Sequence, residues 1–100
     1  MNVLARPAVE PEGGMLAYST SKAAVASLTQ CVAREVGAEG ILVNGIIPSI
    51  MDTPANRASM PDADFDRWPK VEEVARAMVW LASPANVLTT GALVPVYGRS

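Results

Sequence analysis

The run Ile41-Leu42-Val43-Asn44-Gly45-Ile46-Ile47 is nearly unbroken in its apolar character and is bounded by turn residues. That is the signature of a strand buried on both faces. Such strands belong to parallel sheets, whose two sides are covered by crossover helices. The remainder of the chain has to supply those helices and the neighbouring strands.

The flanking sequence does so in order. Asn2 to Ala5 reads as the end of a strand, and Pro7 to Gly14, with two prolines and two glycines, as an irregular loop. From Leu16 to Val36, Val25, Leu28, Val32 and Val36 recur at spacings of three or four with alanines between them, which predicts a helix. Gly37 and Gly40 are placed to stop it, because glycine adopts the left-handed conformation that commonly ends a helix. Pro48 to Pro69 is rich in proline, aspartate and serine, and a connection of roughly twenty residues reads as a functional loop or lid. Val71, Val74, Ala75, Met78 and Ala82 mark a second amphipathic helix, with Glu72 and Glu73 in its first turn, where the dipole favours negative charge. Thr89-Thr90-Gly91 turns the chain into Ala92 to Tyr97, and Pro95 assigns that last strand to a sheet edge. This order is expected of part of a doubly wound α/β sheet, in which ligands sit beyond the carboxyl ends of the strands. A site is therefore expected after Ala5, after Ile47 and after Tyr97.

Composition narrows the chemistry. Eight basic and ten acidic residues, with no long run of either sign, leave no stripe to track a phosphate backbone, so nucleic acid is not an expected partner. Histidine is absent, which removes Ser-His-Asp hydrolysis, papain-like catalysis and histidine-ligated metal sites; no metal is expected. Cys31 is the only cysteine, so no intrachain disulfide can form, and a reducing, cytoplasmic setting is expected. Its place among alanine and valine in mid-helix reads as a small buried hydrophobe. The apolar stretch Met1 to Ala5 is too short for a signal peptide's hydrophobic region or a membrane span, so no membrane partner is expected. Half of the residues are hydrophobic, an excess that predicts surfaces meant to be covered by something outside the chain. Met1, standing at the start of strand-like sequence without a lead-in, is expected to be an internal methionine of a longer protein.

Tyr18 and Lys22 stand four apart at the start of the first helix, on one face, which brings the ammonium close to the phenol. A neighbouring cation favours the ionised form of a phenol. The pair therefore reads as a proton donor for reduction of a carbonyl or imine, and as a base in reverse. Taken alone, it also reads as a surface tyrosine resting on a lysine stem.

The succession Tyr18-Ser19-Thr20-Ser21-Lys22-Ala23-Ala24-Val25, Val43-Asn44-Gly45-Ile46-Ile47-Pro48 and Asp52-Thr53-Pro54 resembles the short-chain dehydrogenase/reductase superfamily along essentially the whole chain. The resemblance implies the carboxy-terminal part of a Rossmann-type domain that binds NAD(P)H and transfers hydride to a small-molecule substrate. It implies that Tyr18 and Lys22 are catalytic and that Lys22 also holds the nicotinamide ribose. The loop that starts at Pro48 is implied to bind the cofactor through Pro48, Met51 and Thr53, the Met51 backbone and Thr53 meeting the carboxamide. A homo-oligomeric full-length form is expected. Three departures stand out. Ala5 occupies the place of the family's catalytic serine, and Ser49 that of a loop glycine. The glycine-rich turn that seats the pyrophosphate occurs nowhere in the 100 residues. The phosphate-binding half is therefore expected to be absent, and the choice between NADH and NADPH stays open.

Asp52-Thr53-Pro54, Asn56-Arg57, Ser59-Met60-Pro61 and Ala63-Asp64-Phe65, with Trp68, resemble the matching loop of the dihydropteridine reductase branch. That branch also carries alanine for the serine and has Gly-Met before the helix, as in Gly14-Met15. It implies NADH and a quinonoid dihydropterin. The competing reading is a non-catalytic remnant that pairs with an intact relative through the first helix, where Ala17, Ser21, Ala24 and Ser27 are small enough for close packing. Of the remaining residues, Asn44 is expected to bond local backbone. Phe65 and Trp68 are expected to pack under the loop more than over a flat substrate, and Arg57 to be a solvated charge.

Overall fold

A computed structural model describes residues 1–100. Strand β1 (Asn2–Val3) leads through a 3-10 turn at Arg6–Ala8 to helix α1 (Leu16–Val36) and a second turn at Gly37–Glu39. Strand β2 (Gly45–Pro48) follows, then the short helix α2 (Pro54–Ser59), a turn at Phe65–Arg67, helix α3 (Val71–Ala82) and strand β3 (Leu93–Val96). The strands make one sheet in the order β1-β2-β3, and both pairings are parallel. Gly45 sits opposite Asn2 on one side and Leu93 on the other.

Every residue of β2 is buried, for a reason visible in two adjacent side chains. Successive residues of a strand point to opposite faces. Ile47 packs with Leu4 and with Ala26 of α1, whereas Ile46 packs with Val74 and Leu81 of α3. One helix therefore covers each face, giving the layered, doubly wound arrangement. Gly45 is required where it stands: a Cβ there would lie 2.4 Å from the Cδ1 of Leu4, itself 1% exposed. Asn44, also buried, donates its side-chain amide to the Thr89 carbonyl (2.7 Å) and accepts from the Ala92 N–H (3.0 Å), pinning the turn that launches β3. β3 lies at the edge, with Pro95 opposite Ile47.

Several details differ from the sequence reading. β2 starts at Gly45, not Ile41, because Val43 bonds outside the ladder: its N–H donates to Thr90 Oγ1 and its carbonyl accepts from the Gly91 N–H. On α1 the buried row is Ser19, Ala26, Thr29 and Ala33, small residues that admit the sheet closely. Leu28 and Cys31 consequently face outward, and Cys31 is exposed, contrary to expectation. Thr29 earns its buried place by accepting from Asn2 Nδ2 (2.9 Å) and donating to the Val25 carbonyl (2.7 Å). Gly37 continues with helical dihedrals, and the left-handed terminus is Gly40, at φ 75°. Val74 and Leu81 carry the burial of α3, while Val71, Ala75 and Ala82 are exposed. The connection from Pro48 to Pro69 contains α2, started by Thr53 and Pro54, and the turn capped by Asp64.

Candidate functional site

Because the strands are parallel, their carboxyl ends open on one edge, and α1 begins there. Tyr18, in the first turn of α1, is 45% exposed. Lys22 follows one turn later, its Nζ 5.9 Å from the Tyr18 ring centre, and donates to the carbonyl of Val3 (3.1 Å). Val3 is the last residue of β1 and sits opposite Ile46 of β2. The ammonium spends one of its three donors on the sheet and keeps two for anything bound at this edge. Ala5, where the family has its serine, is buried and offers only a methyl.

The exit from β2 carries the other expected residues. Pro48 is buried opposite Val96. The Ser49 hydroxyl donates to the Tyr97 carbonyl (3.0 Å) and lies 2.6 Å from the Ser100 hydroxyl, so it ties the ends of β2 and β3 together. The Met51 side chain packs on the Ile46 cluster, and its carbonyl accepts from Asn56 Nδ2 (2.7 Å). The Met51 N–H has no partner in the chain. Thr53 caps α2, its Oγ1 accepting from the Asn56 N–H (3.2 Å), which leaves the hydroxyl proton free to donate.

Between Met51 and Thr53, Asp52 is the most heavily engaged side chain of the loop. Its carboxylate, 9% exposed, takes two bonds from Arg57 (2.5 and 2.8 Å) and one from Lys70 (2.7 Å). The guanidinium of Arg57, then the ammonium of Lys70, hold this carboxyl well below the usual carboxylate range against an opposing effect of burial. Arg57 also lies 4.6 Å over the Phe65 ring, and Phe65 meets Trp68 at 5.0 Å between centroids. Trp68 is buried and the two aromatics pack under the loop, as expected. Arg57 is exposed, as the sequence reading expected, but it is also paired with Asp52, which that reading did not foresee. Lys70 was not foreseen, because it reaches Asp52 through a backbone bridge 18 residues along the chain.

The exits from β1 and β3 also meet. Arg6 lies 4.8 Å over the Tyr97 ring and bonds Glu10 Oε2 (2.7 Å) and the Ser100 carbonyl (3.3 Å). Burial pushes the Tyr97 phenol up. A separate depression of about 350 Å³ is lined by Pro7, Pro11, Gly13, Leu16, Ser19 and Thr20, and excludes Tyr18 and Lys22.

A parallel sheet flanked by a helix on each face is the architecture of part of a Rossmann-type, doubly wound α/β fold. The chain belongs to the short-chain dehydrogenase/reductase family. The family model described as enoyl-(acyl carrier protein) reductase matches residues 2–98. L-xylulose reductase of Caenorhabditis elegans is 33% identical, over 98% of this chain and 43% of its own. Dihydropteridine reductase of Dictyostelium discoideum is 38% identical, over 96% of this chain and 43% of its own. Among solved structures, a short chain dehydrogenase/reductase family protein matches with a TM-score of 0.88 at 35% identity, covering 97% of this chain and 43% of that one. The 3-ketoacyl-(acyl-carrier-protein) reductase from Brucella melitensis, complexed with NADH, matches with a TM-score of 0.82 at 29% identity, covering 97% and 41%. The chain thus spans about two fifths of the length of these relatives.

Proposed function

We propose that this chain is the carboxy-terminal, catalytic portion of an NAD(P)-dependent short-chain dehydrogenase/reductase. The observation that carries the reading is the shared edge: Lys22 is anchored to the end of β1, one turn from Tyr18, and the loop leaving β2 at Pro48 opens on the same side of the sheet. The residues fit a nicotinamide. Met51 presents an N–H with no internal partner, and Thr53 a hydroxyl with a free proton, two residues apart, for a planar carboxamide. Lys22 keeps two donors for ribose hydroxyls. When bound, the cofactor supplies the hydride. Tyr18 donates the proton at its phenolic oxygen, with the Lys22 ammonium beside it, and takes one up in reverse. Ala5 supplies no hydroxyl to polarise a carbonyl. That favours a substrate reduced at an imine-like system, such as a dihydropterin, and the 38% identity to a dihydropteridine reductase points the same way.

The test uses the half of the cofactor that these residues would touch. Nicotinamide mononucleotide at millimolar concentration is expected to shift the amide resonances of Lys22, Met51 and Thr53, whereas adenosine monophosphate leaves them in place. Equal shifts from both nucleotides, or none from either, would sink the reading.

A further inference from the structure

The connection between β2 and α3 carries only one six-residue helix and one 3-10 turn as regular structure, too little to fix its own path. Something else must hold Met51 and Thr53 still. Asp52, the residue between them, bonds outward to two elements: α2 through both nitrogens of the Arg57 fork, and the threshold of α3 through Lys70. Its own N–H donates to the Pro69 carbonyl (3.0 Å), and Lys70 Nζ reaches on to the Phe65 carbonyl (3.4 Å). Isolated surface ion pairs are worth little, since long side chains lose freedom and water screens the charges. This carboxylate differs in being nearly covered, bidentate to one partner and shared with a second, the geometry in which ion pairs do fix structure.

We infer that Asp52 is a positioning residue for the proposed nicotinamide loop. With Arg57 and Lys70 it forms a latch that holds the Met51 N–H and the Thr53 hydroxyl in place without touching the ligand itself. The inference rests on the reading of Met51 and Thr53 given above. Arg57 is braced in turn by the Phe65 ring, which Trp68 backs, so the latch has a rigid floor.

Hydrogen exchange and nicotinamide mononucleotide titration, both followed residue by residue on the intact chain and its Asp52→Asn variant, test this. The expected result has two parts. Exchange at the Asp52, Asn56 and Arg57 amides rises about tenfold or more while the α3 amides from Val74 to Leu81 keep their protection. The mononucleotide shifts at Met51 and Thr53 fade in the variant. Lys70→Met, which takes one of the three bonds from the Asp52 carboxylate and the longer one from the Phe65 carbonyl, should give a smaller change of the same kind, and Lys70→Arg should restore it; this pair decides the matter if Asp52→Asn fails to fold. A wild-type chain that responds at Met51 and Thr53, with a variant that responds equally, overturns the positioning role alone. A wild-type chain silent to the mononucleotide overturns the nicotinamide reading and the positioning role with it. Loss of protection throughout α3 makes Asp52 a general structural residue and overturns the proposal as well.

Discussion

At Asp52 the protein concentrates two cations on one carboxylate, and the pH response of the loop follows from that. A carboxyl whose ionised form is favoured on folding adds stability that is complete above its unfolded value and drains away as the pH falls toward its lower folded value. The Asp52 contribution is thus expected to be constant from neutral pH down to about 5 and to drain away progressively below about 4. Trp68, packed beneath the latch, reports it. In a Trp80→Phe background, the urea midpoint followed by its fluorescence should hold steady from neutral pH to about 5 and fall progressively below about 4, and Asp52→Asn should flatten that fall. Among single residues, the placing of Tyr18 and Lys22 one turn apart at the start of α1 was legible from their spacing, whereas Pro48, Met51 and Thr53 were singled out only by the resemblance of their loop, and the roles of all five remain proposals. Arg57 left a local signal too, an Asp-Thr-Pro start followed by a basic residue inside the helix that it begins. Lys70 left none, because the backbone bridge that delivers it to Asp52 is a tertiary fact.

Among the elements, β2 sets the tolerance of the whole sheet. Gly45 stands between two strands with the Leu4 side chain filling the space where its own would be. Gly45→Ala is therefore expected to destabilise the chain by about 1–3 kcal/mol, the usual cost of overpacking a filled core, and urea denaturation would measure it. The extent of α1 was readable, because apolar spacing and alanine content agreed on it, although Gly40 and not Gly37 takes the left-handed conformation. Its buried face was not. Val25, Leu28, Val32 and Val36 suggested the stripe, but contact runs along Ala26, Thr29 and Ala33, where the helix approaches the sheet most closely. Apolar character also overstated β2. Ile41 to Val43 look like strand, yet Val43 pairs with Thr90 and Gly91, and hydrogen-bond partners so far along the chain cannot be read from a local window.

Taken whole, the molecule is a slab of 48 × 30 × 18 Å with a radius of gyration of 14.7 Å, against roughly 13 Å for a compact chain of this length. Its accessible surface of 6305 Å² exceeds the roughly 5400 Å² expected at 10.5 kDa. Large apolar side chains lie on that surface: Leu88 is 86% exposed and Val87 72%, and Val79 and Trp80 are exposed as well. Exposed apolar side chains of this size favour association where they cluster. Sedimentation velocity is accordingly expected to show species heavier than the monomer that grow with concentration and recede in a Val87→Ser, Leu88→Lys variant. No helix of the chain is long and apolar enough to cross a membrane. The strand register carries a kinetic consequence as well. Each ladder joins residues roughly 45 positions apart, with no hairpin anywhere in the sheet, so no strand pair can form early on its own. The second ladder needs residues 45–48 and 93–96 together, so β2 stays unpaired on that side until the last strand is made. In that interval the apolar side chains of β2 have no strand beside them on that edge, the kind of exposure that invites misassociation.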